Sequence, residues 1–417
     1  MSFSVKKIVV FAVAWMVCLM TCQGAGFSIL EQSVTGMGRS LAGMAAETRE
    51  PSALYFNPAA GGWHDRPTMA VGTHVLTGNV RFHNTGRTTA QGKKSGDIIG
   101  TTLIPNLALV LPFEEQFSFN MTMSATSGTA TNYSSKWMGR YNAIDTEIAV
   151  IELNPSFSWH PCERLAVGVG VLAQYADLYI KQAVPLAILG GRGDAKVKME
   201  GDTWAYGFNF GIMFKPWEKT TLGLSYRSKM DLNYDDVTAE VKGAGVHVKR
   251  GAKTTLKMPP SVNFGIQQGL TDAWRVMLDI SWTRWSKMKE MKITLKEPLA
   301  GISSLSETMD WHDNWRFALG TEYDLSDRWT LRFGGAFDQR TVTAHHNKVA
   351  KLPDSNRYWI SCGASYQWTE NLRVDFAITH IFFHPSEIRQ IDITGEQIHG
   401  KFVGYTNLVS LGMKYDF

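Results

Sequence analysis

Hydrophobic and polar residues alternate along most of the chain from about Pro67 to the last residue. In the final stretch, Val409–Phe417, apolar or aromatic residues take every odd position, and small or polar residues take the positions between them. The same alternation runs through 274–282 and 329–338. A strict period of two predicts β-strands with one apolar face and one polar face.

Two kinds of polar connection separate these stretches. Six are compact turns, near residues 113, 160, 215, 270, 325 and 368. Seven are longer, near 83–100, 130–146, 181–202, 233–256, 288–310, 341–355 and 386–400. Thirteen connections join fourteen strands, and short turns that alternate with long loops are typical of transmembrane β-barrels. A terminal strand ending on Phe417 would be an exposed edge in a soluble sheet, whereas a closed barrel has no edge.

We therefore predict an all-β membrane protein whose residues 67–417 form a 14-stranded antiparallel transmembrane β-barrel. Hydrophobic residues make up 44% of the chain, yet the mean hydropathy is −0.14. Strands that face hydrocarbon on one side and water on the other average to such a value. The net charge of +4 comes with no basic stripe, so we expect no nucleic-acid partner.

The N-terminus has the features of a secretory signal peptide. Lys6 and Lys7 precede an apolar run from Ile8 to Met20, and small residues follow, so we predict a signal peptide at 1–24. An alternative is a lipoprotein signal with Cys22 as the acylated residue. No later segment has the 18 or so apolar residues that a spanning helix needs.

The stretch 25–66 does not alternate. It is rich in small residues and then breaks into turns around Pro58 and the pair Gly61-Gly62. Such a segment must lie outside the barrel or fold back into it, and a fourteen-stranded barrel is wide enough to need filling. We predict that 25–66 is an N-terminal hatch that plugs the barrel.

Catalytic and metal-binding patterns are missing from the sequence. There is no GxSxG, no HExxH and no phosphate-binding glycine loop followed by lysine. We expect a protein that is not an enzyme and that uses no cofactor and no metal. Cys162 and Cys362 would be the cysteines of the mature chain, and their positions favour two unpaired thiols.

Six motifs stand out along the chain. They are AGFSILEQSVTGMGRSLAG at 25–43, NPA at 57–59, DRPT at 65–68, LSYRSKM at 224–230, the stretch 315–338 and the final Phe417. Together they resemble FadL-type outer-membrane transporters of the FadL/TodX family, which take up long-chain fatty acids and, in some members, aromatic hydrocarbons. The resemblance covers the whole mature chain. It implies a monomeric barrel in the outer membrane of a Gram-negative bacterium, with both termini on the periplasmic side.

The resemblance also assigns roles to particular residues. Asn57, Pro58 and Ala59 would join the hatch to the barrel wall, and Phe417 would be the signal read by the barrel assembly machinery. Ligand would leave sideways into outer-membrane lipid through a gap at a kinked third strand. A buried methylene gains about 0.8 kcal/mol, so release into lipid is favourable where release into water is not.

The third predicted strand contains polar and small residues where such a gap is expected. Asn120, Ser124 and Gly128 lie on it, and we predict that its pairing is interrupted between Asn120 and Gly128. The alternative is an ordinary strand that runs into a polar loop, because glycine also marks strand ends.

Three residues are candidates for contact with ligand. Phe27 would gate the pocket, or else anchor the hatch. Continued alternation places His312 and Arg316 on the barrel interior, and His312 stands where the resemblance implies a carboxylate-binding lysine. A neutral histidine holds a carboxylate weakly. Either Arg316 takes that role or the ligand is uncharged. As an alternative, Arg316 pairs with inward acids, as Arg227, Arg275, Arg332 and Lys414 would.

Two of the long connections contain more apolar residues than a solvated loop needs. We predict that they form an outer groove that first captures ligand, with Leu186, Ile188, Leu189, Leu299 and Ile302 as its lining. The alternative is packing between loops.

The sequence therefore predicts passive uptake of hydrophobic small molecules, with long-chain fatty acids as the first candidates. Monoaromatic or other neutral hydrocarbons are the second. A non-specific porin is disfavoured by the hatch, and a lipid hydrolase by the missing catalytic set.

Overall fold

A computed structural model of the chain describes residues 26–189, 191–243, 245–299, 301–342, 344, 346 and 348–417. The predicted signal peptide, 1–24, lies outside these residues. Within the described residues, none of the helices has the length and apolar character required to traverse a bilayer.

Strands make up most of the described chain. They are β1 (Thr68–Asn84), β2 (Thr102–Phe113), β3 (Phe117–Asn132), β4 (Asp145–Cys162), β5 (Leu165–Pro185), β6 (Asp194–Trp217), β7 (Thr220–Arg227), β8 (Met230–Gly243), β9 (Val246–Met258), β10 (Ser261–Gly269), β11 (Trp274–Thr283), β12 (Glu290–Leu299), β13 (Ile302–Thr308), β14 (Asn314–Asp324), β15 (Trp329–Asp338), β16 (Arg357–Gln367), β17 (Leu372–Phe383), β18 (Ser386–Ile391) and β19 (Gln397–Asp416). Helix α1 spans Val34–Met37, and short 3₁₀ helices span Met44–Ala46, Pro51–Tyr55, Pro58–Trp63, Leu186–Leu189 and Trp285–Lys287.

Fourteen of these strands form a closed antiparallel ring, so the predicted barrel is confirmed. The order around the ring is β1, β2, β3, β4, β5, β6, β7, β10, β11, β14, β15, β16, β17 and β19. The ring closes because β19 pairs with β1 from Thr68↔Asp416 to Asn84↔Gly400. The chain therefore ends on a paired strand.

The other five strands extend beyond the ring at the end where the long connections lie, which we call the loop end. The opposite end, with the six short connections, is the turn end. The prediction of loops at 181–202, 233–256, 288–310 and 386–400 was wrong in this respect: they contain long parts of β5, β6, β8, β9, β12, β13, β18 and β19. The outward faces of these strands meet water and are polar. Their sequences therefore look like polar loops, and the alternation typical of strands was not recognised.

The two faces of each barrel strand meet different surroundings. On β15, Trp329, Leu331 and Phe333 expose 41–55% of their surface, whereas Arg332 and Asp338 on the opposite face are buried. This matches the alternation in the sequence. Apolar side chains outside and polar ones inside are the arrangement that a barrel in lipid requires.

Residues 26–66, here called the N-terminal segment, lie inside the ring. Most of them are buried, and they contact the inward faces of the strands. Ten described strand glycines leave room for this contact, because a Cβ atom at any of them would come within 3.0 Å of the segment. They are Gly72, Gly128, Gly168, Gly211, Gly223, Gly265, Gly320, Gly334, Gly363 and Gly412. The boundary of the predicted hatch as a separate domain stays a prediction.

We expect Gly334→Ala to weaken the seating of the N-terminal segment. The added Cβ would lie 2.7 Å from Cα of Arg39 and closer still to its carbonyl group, and backbone cannot swing aside. Such overpacking costs about 1–3 kcal/mol. Thermal unfolding of the detergent-solubilised protein should occur at lower temperature.

The neighbouring glycine is a matched control. A Cβ on Gly335 would meet one backbone oxygen at 3.3 Å and no atom of the N-terminal segment. Equal destabilisation by Gly334→Ala and Gly335→Ala would contradict the role of Gly334.

Candidate functional site

The Asn57-Pro58-Ala59 motif lies against the inner wall of β4, β5 and β6. The Asn57 side chain accepts from Ala59 N–H at 3.0 Å and so caps the 3₁₀ helix that begins at Pro58. Its amide donates to the carbonyls of Ala45 at 2.7 Å and Ile212 at 3.3 Å. One side chain therefore links two parts of the N-terminal segment to β6.

A network of buried ion pairs joins the N-terminal segment to the wall near the turn end. Arg39 contacts Glu47 at 2.6 Å and Glu322 of β14 at 3.3 Å. Glu322 also contacts Arg49 at 2.5 Å and Arg332 at 2.6 Å. Burial alone would raise the pKa of Glu47, but the charges of Arg49 and Arg39 lower that pKa to about 2. Removing one partner of a buried pair typically costs 3–5 kcal/mol.

The barrel wall has an interruption between β2 and β3. The two strands pair from Phe113↔Phe117 to Asn106↔Ser124 and stop there. Among the described residues, the next backbone hydrogen bond between the two sides runs from Asn132 N–H to the carbonyl of Ile98, at 3.1 Å. Between these points β3 also changes register with β4, with a bulge between Ala125 and Ser127.

The predicted interruption began too early in the chain. Asn120 lies opposite Val110 on β2 and Ser156 on β4, so its pairing is complete on both sides. Ser124 is the last residue that pairs with β2, and Gly128 lies within the gap. The reason is that the polar side chain of Asn120 points inward, where its amide nitrogen donates to the Ser158 hydroxyl at 2.7 Å, and an inward polar side chain does not interrupt backbone pairing.

Residues 27–29 occupy the freed edge of β3 from inside the barrel. Gly128 N–H donates to the carbonyl of Phe27 at 2.9 Å, and Ile29 N–H donates to the carbonyl of Thr126 at 2.9 Å. The start of the N-terminal segment thus supplies hydrogen bonds that β2 does not.

Phe27 is fully buried in a cluster of three aromatic rings, here called the aromatic cluster. Its ring lies 4.9 Å from that of Trp285 and 5.9 Å from that of Trp311, and the two indoles are 5.1 Å apart. Edge-on contacts of this kind are favourable. Sequence reasoning missed both tryptophans, because they lie between strands, where alternation gives no signal.

An inner cavity of about 100 Å³ adjoins the gap and the aromatic cluster. Ser28, Leu30 and Thr126 line it on the gap side, and Trp285, Arg316 and Asp338 line it elsewhere. Ligand sites usually measure about 300–1,000 Å³. The inner cavity is therefore too small for a long-chain ligand in this conformation.

Arg316 differs from the other inward cations named in the sequence analysis. Arg227 contacts Glu152, Arg275 and Arg332 contact Glu322, and Lys414 contacts Asp416, so pairing with inward acids is confirmed for those four. Arg316 has no carboxylate within 4.0 Å among the described residues.

The contacts of Arg316 leave part of its guanidinium unused. One nitrogen donates to the carbonyl of Ser40 at 2.7 Å, and the group lies 4.9 Å above the ring of Trp359. Its Nε is buried without a hydrogen-bond partner in the described structure. Arg316 could therefore bind a ligand carboxylate.

The prediction that His312 faces the interior was wrong. β14 begins at Asn314, and the side chain of His312 is exposed, whereas its neighbour Trp311 is buried in the aromatic cluster. Alternation cannot be extended across residues that lie outside a strand, since their side chains do not follow a period of two.

An outer groove of about 700 Å³ opens among the loop-end hairpins. Its apolar lining includes Met199, Met291, Ile293, Leu305 and Val349. These residues replace the predicted lining. Leu186 is buried in the interior cluster, Leu299 and Ile302 are half-buried in the hairpin β12–β13, and the side chains of Ile188 and Leu189 lie outside the described residues. Leu299 and Ile302 pair with each other at the tip of the hairpin β12–β13, so they lie away from the groove.

A closed fourteen-stranded barrel with an apolar outer face, an internal segment and an internal cavity defines a plugged transport barrel of the outer membrane. The chain belongs to the family described as outer membrane protein transport protein (OMPP1/FadL/TodX), whose model matches residues 16–417.

Relatives of known identity resemble the chain over nearly its whole length. Outer membrane protein P1 of Haemophilus influenzae is 27% identical over 443 aligned residues, covering 94% of this chain and 95% of that protein. The long-chain fatty acid transport protein of Escherichia coli K12 is 25% identical over 410 aligned residues, covering 89% of this chain and 91% of that protein.

Solved structures share the fold. A Pseudomonas aeruginosa FadL homologue superimposes with a TM-score of 0.85 at 22% sequence identity. The match covers 94% of this chain and 100% of that chain. The P. putida toluene transporter TodX superimposes with a TM-score of 0.70 at 18% sequence identity. That match covers 96% of this chain and 99% of the TodX chain. The protein is therefore an outer-membrane protein of a family that transports hydrophobic compounds.

We expect the stability of the protein to depend on the protonation of Glu31, which lies in the N-terminal segment, outside the strands. Burial raises the pKa of Glu31 from 4.5 to about 7. Between these values the folded chain binds more protons at Glu31 than the unfolded chain, so this group makes stability fall as pH rises from 4.5 to 7.

The measurement is the unfolding temperature of the wild type and of Glu31→Gln at a series of pH values. Glutamine mimics the protonated acid. The unfolding temperature of the variant should therefore rise relative to that of the wild type between pH 4.5 and 7, and the difference between the two should stay constant above pH 8. Parallel curves throughout would contradict the raised pKa.

Proposed function

We propose that this protein carries hydrophobic molecules, long-chain fatty acids first among them, passively across the outer membrane and releases them sideways into lipid. The observation that carries the proposal is the gap in the wall beyond Ser124, covered by residues 27–29 and adjoining the inner cavity. Movement of those residues would enlarge the cavity and open the gap together.

Buried apolar side chains that extend from the loop end to the aromatic cluster support entry from the loop end. Met291, Ile293 and Val349 at the outer groove belong to the same buried cluster as Phe27 and Trp285. A ligand that moves along this cluster stays away from water. Release through the gap keeps each methylene in an apolar medium, which preserves about 0.8 kcal/mol per methylene relative to water.

Two observations favour fatty acids over neutral hydrocarbons. Arg316 offers a buried guanidinium without an ion-pair partner in the described structure. Relatives that cover most of the chain are long-chain fatty acid transport proteins. Neutral hydrocarbons are the second candidate, because TodX, a toluene transporter, shares the fold.

The remaining parts of the proposal concern the chain as a whole. Residues 1–24 are a signal peptide, 25–66 a hatch and 67–417 the barrel. The protein acts as a monomer, is not an enzyme, and has both termini on the periplasmic side, with Phe417 read by the barrel assembly machinery. Uptake of labelled oleate and toluene, in cells with this protein as their single transporter of the family, tests the choice of ligand.

We predict that locking residues 27–29 onto β3 stops transport. Ser28 and Ser127 lie directly opposite each other in an antiparallel bridge, and the hydrogen bonds fall on either side of them. Such opposed positions are close enough for a disulfide. Oxidised Ser28→Cys/Ser127→Cys protein should lose most oleate uptake, and a reductant should restore it.

The variants are made in a protein in which Cys162 and Cys362 are replaced, because both of these thiols are free and exposed. Each single cysteine variant is a control and should transport at the wild-type rate under oxidation. Full uptake by the locked protein would exclude the route through the gap.

We expect Arg316→Gln to lower the affinity for oleate about tenfold or more, because a hydrogen bond to a charged group contributes about 1.5–3 kcal/mol. Arg316→Lys keeps the charge and should lose less. Toluene binding, measured by calorimetry on the same variants, should be unchanged. An equal loss for oleate and toluene would show that Arg316 shapes the cavity and does not bind the carboxylate.

A further inference from the structure

Charged side chains follow the outward aromatic residues at the loop end of the barrel. On β6, Asp202 lies two residues beyond the exposed Trp204, and on the far side of the ring, Arg284 lies two residues beyond Trp282 of β11. Aromatic residues of transmembrane barrels mark the boundary between hydrocarbon and lipid headgroups. Two strand residues span about 7 Å. These charged side chains therefore lie at the level of the headgroups.

The charge at this level differs between two sides of the barrel. On β4, β5 and β6 the outward residues are acidic, and they are Glu147, Asp177 and Asp202. Asp177 lies directly opposite Asp202 in the pairing of β5 with β6, and such like charges repel a further anion.

Five exposed cations occupy the other side, between β9 and β12, and are here called the basic patch. Thr254 of β9 lies opposite Ile293 of β12, and both are buried, so the residues that alternate with them face outward. Arg284 N–H donates to the carbonyl of Pro260 at 3.0 Å, which places the connection after β11 beside the end of β9. The members of the patch are Lys253, Lys257, Arg284, Lys287 and Lys292.

The basic patch keeps its positive charge. Among the described residues, none of its five members has a carboxylate within 4.0 Å. Other exposed lysines nearby are compensated by acids. The pairs are Lys229–Asp231, at 3.5 Å, Lys289–Asp310, at 2.8 Å, and Lys296–Asp236, at 2.6 Å. An anion that binds at the patch therefore displaces no ion pair of the protein.

We propose that the basic patch binds the phosphate groups of the membrane lipid that surrounds the loop end, with the acyl chains of that lipid against the barrel wall. Lysine and arginine side chains form strong charge-assisted hydrogen bonds with phosphate. A lipid suits the place better than free phosphate does, because Trp282 and Trp315 lie opposite each other just below the patch and continue into the apolar outer face.

The uneven belt has a consequence for the lipid around the barrel. A phosphorylated lipid is attracted to the side of β9 and β12 and repelled from the side of β4, β5 and β6. Each lysine or arginine near an anionic lipid surface contributes about fivefold to the affinity. The protein would therefore hold phosphorylated lipid at one position of its circumference and not evenly around it.

The test measures binding of lipid A to the full-length, detergent-solubilised protein by native mass spectrometry. The probes are lipid A with its phosphates, the same lipid after enzymatic removal of the phosphates, and inorganic phosphate. Lys257→Gln/Arg284→Gln/Lys287→Gln should weaken binding of phosphorylated lipid A about a hundredfold and leave the dephosphorylated lipid unchanged. Lys257→Arg/Lys287→Arg keeps the charge and should bind as the wild type does.

The matched control removes the same charge from the turn end. Arg164, Lys219 and Arg328 are exposed there, so their combined replacement by glutamine should leave binding of lipid A unchanged. All the replaced side chains are exposed, and the unfolding temperatures of the variants should stay at that of the wild type.

Two results would overturn the assignment of the basic patch to lipid. One is an equal affinity of the patch variant and the wild type for phosphorylated lipid A. The other is inorganic phosphate that binds as tightly as lipid A and depends on the same side chains, which would identify a site for free phosphate. Oleate uptake by the patch variant should equal that of the wild type, because the patch lies outside the barrel wall.

Discussion

The structure depends on one constraint: a backbone N–H or carbonyl group that faces hydrocarbon must have a hydrogen-bond partner. The pairing of β1 with β19 meets this constraint by closing the ring. Beyond Ser124 the constraint is met differently, since β3 parts from β2 and residues 27–29 supply the partners from inside. The side chain of Gln32 also donates to the carbonyl of Ala125. The first residues of the N-terminal segment thus complete the hydrogen bonding of the wall at this point.

The contacts inside the barrel differ between its two ends. Near the turn end, Glu322 gathers Arg39, Arg49 and Arg332 into a network that is costly to break. Toward the loop end, apolar clusters and the aromatic cluster take over. Nine of the ten strand glycines named above pack against residues 34–59 of the segment, and one, Gly128, packs against Ile29. Under the proposed mechanism, movement of residues 27–29 alone would break fewer of these contacts than movement of the whole N-terminal segment.

Part of the candidate site was accessible to sequence reasoning. Arg316 was placed correctly in the interior, because it lies within β14, where the period of two applies. His312, two residues before that strand, was misplaced by extending the same period. The aromatic partners of Phe27 and the true lining of the outer groove could not be found, since their residues come from separate stretches of the chain at the loop end that meet only when the ring closes.

The fold class follows from local chemistry. Alternation and turn spacing are local properties, because the two faces of each strand differ in polarity according to which face meets lipid. The position where β2 and β3 separate, the segment that covers the gap and the contacts of Arg316 are visible only in the folded chain. Those properties depend on pairs of residues far apart in the chain, such as Phe27 with Gly128 and Ser40 with Arg316. No local pattern encodes such pairs, because it is the closure of the ring that brings them together.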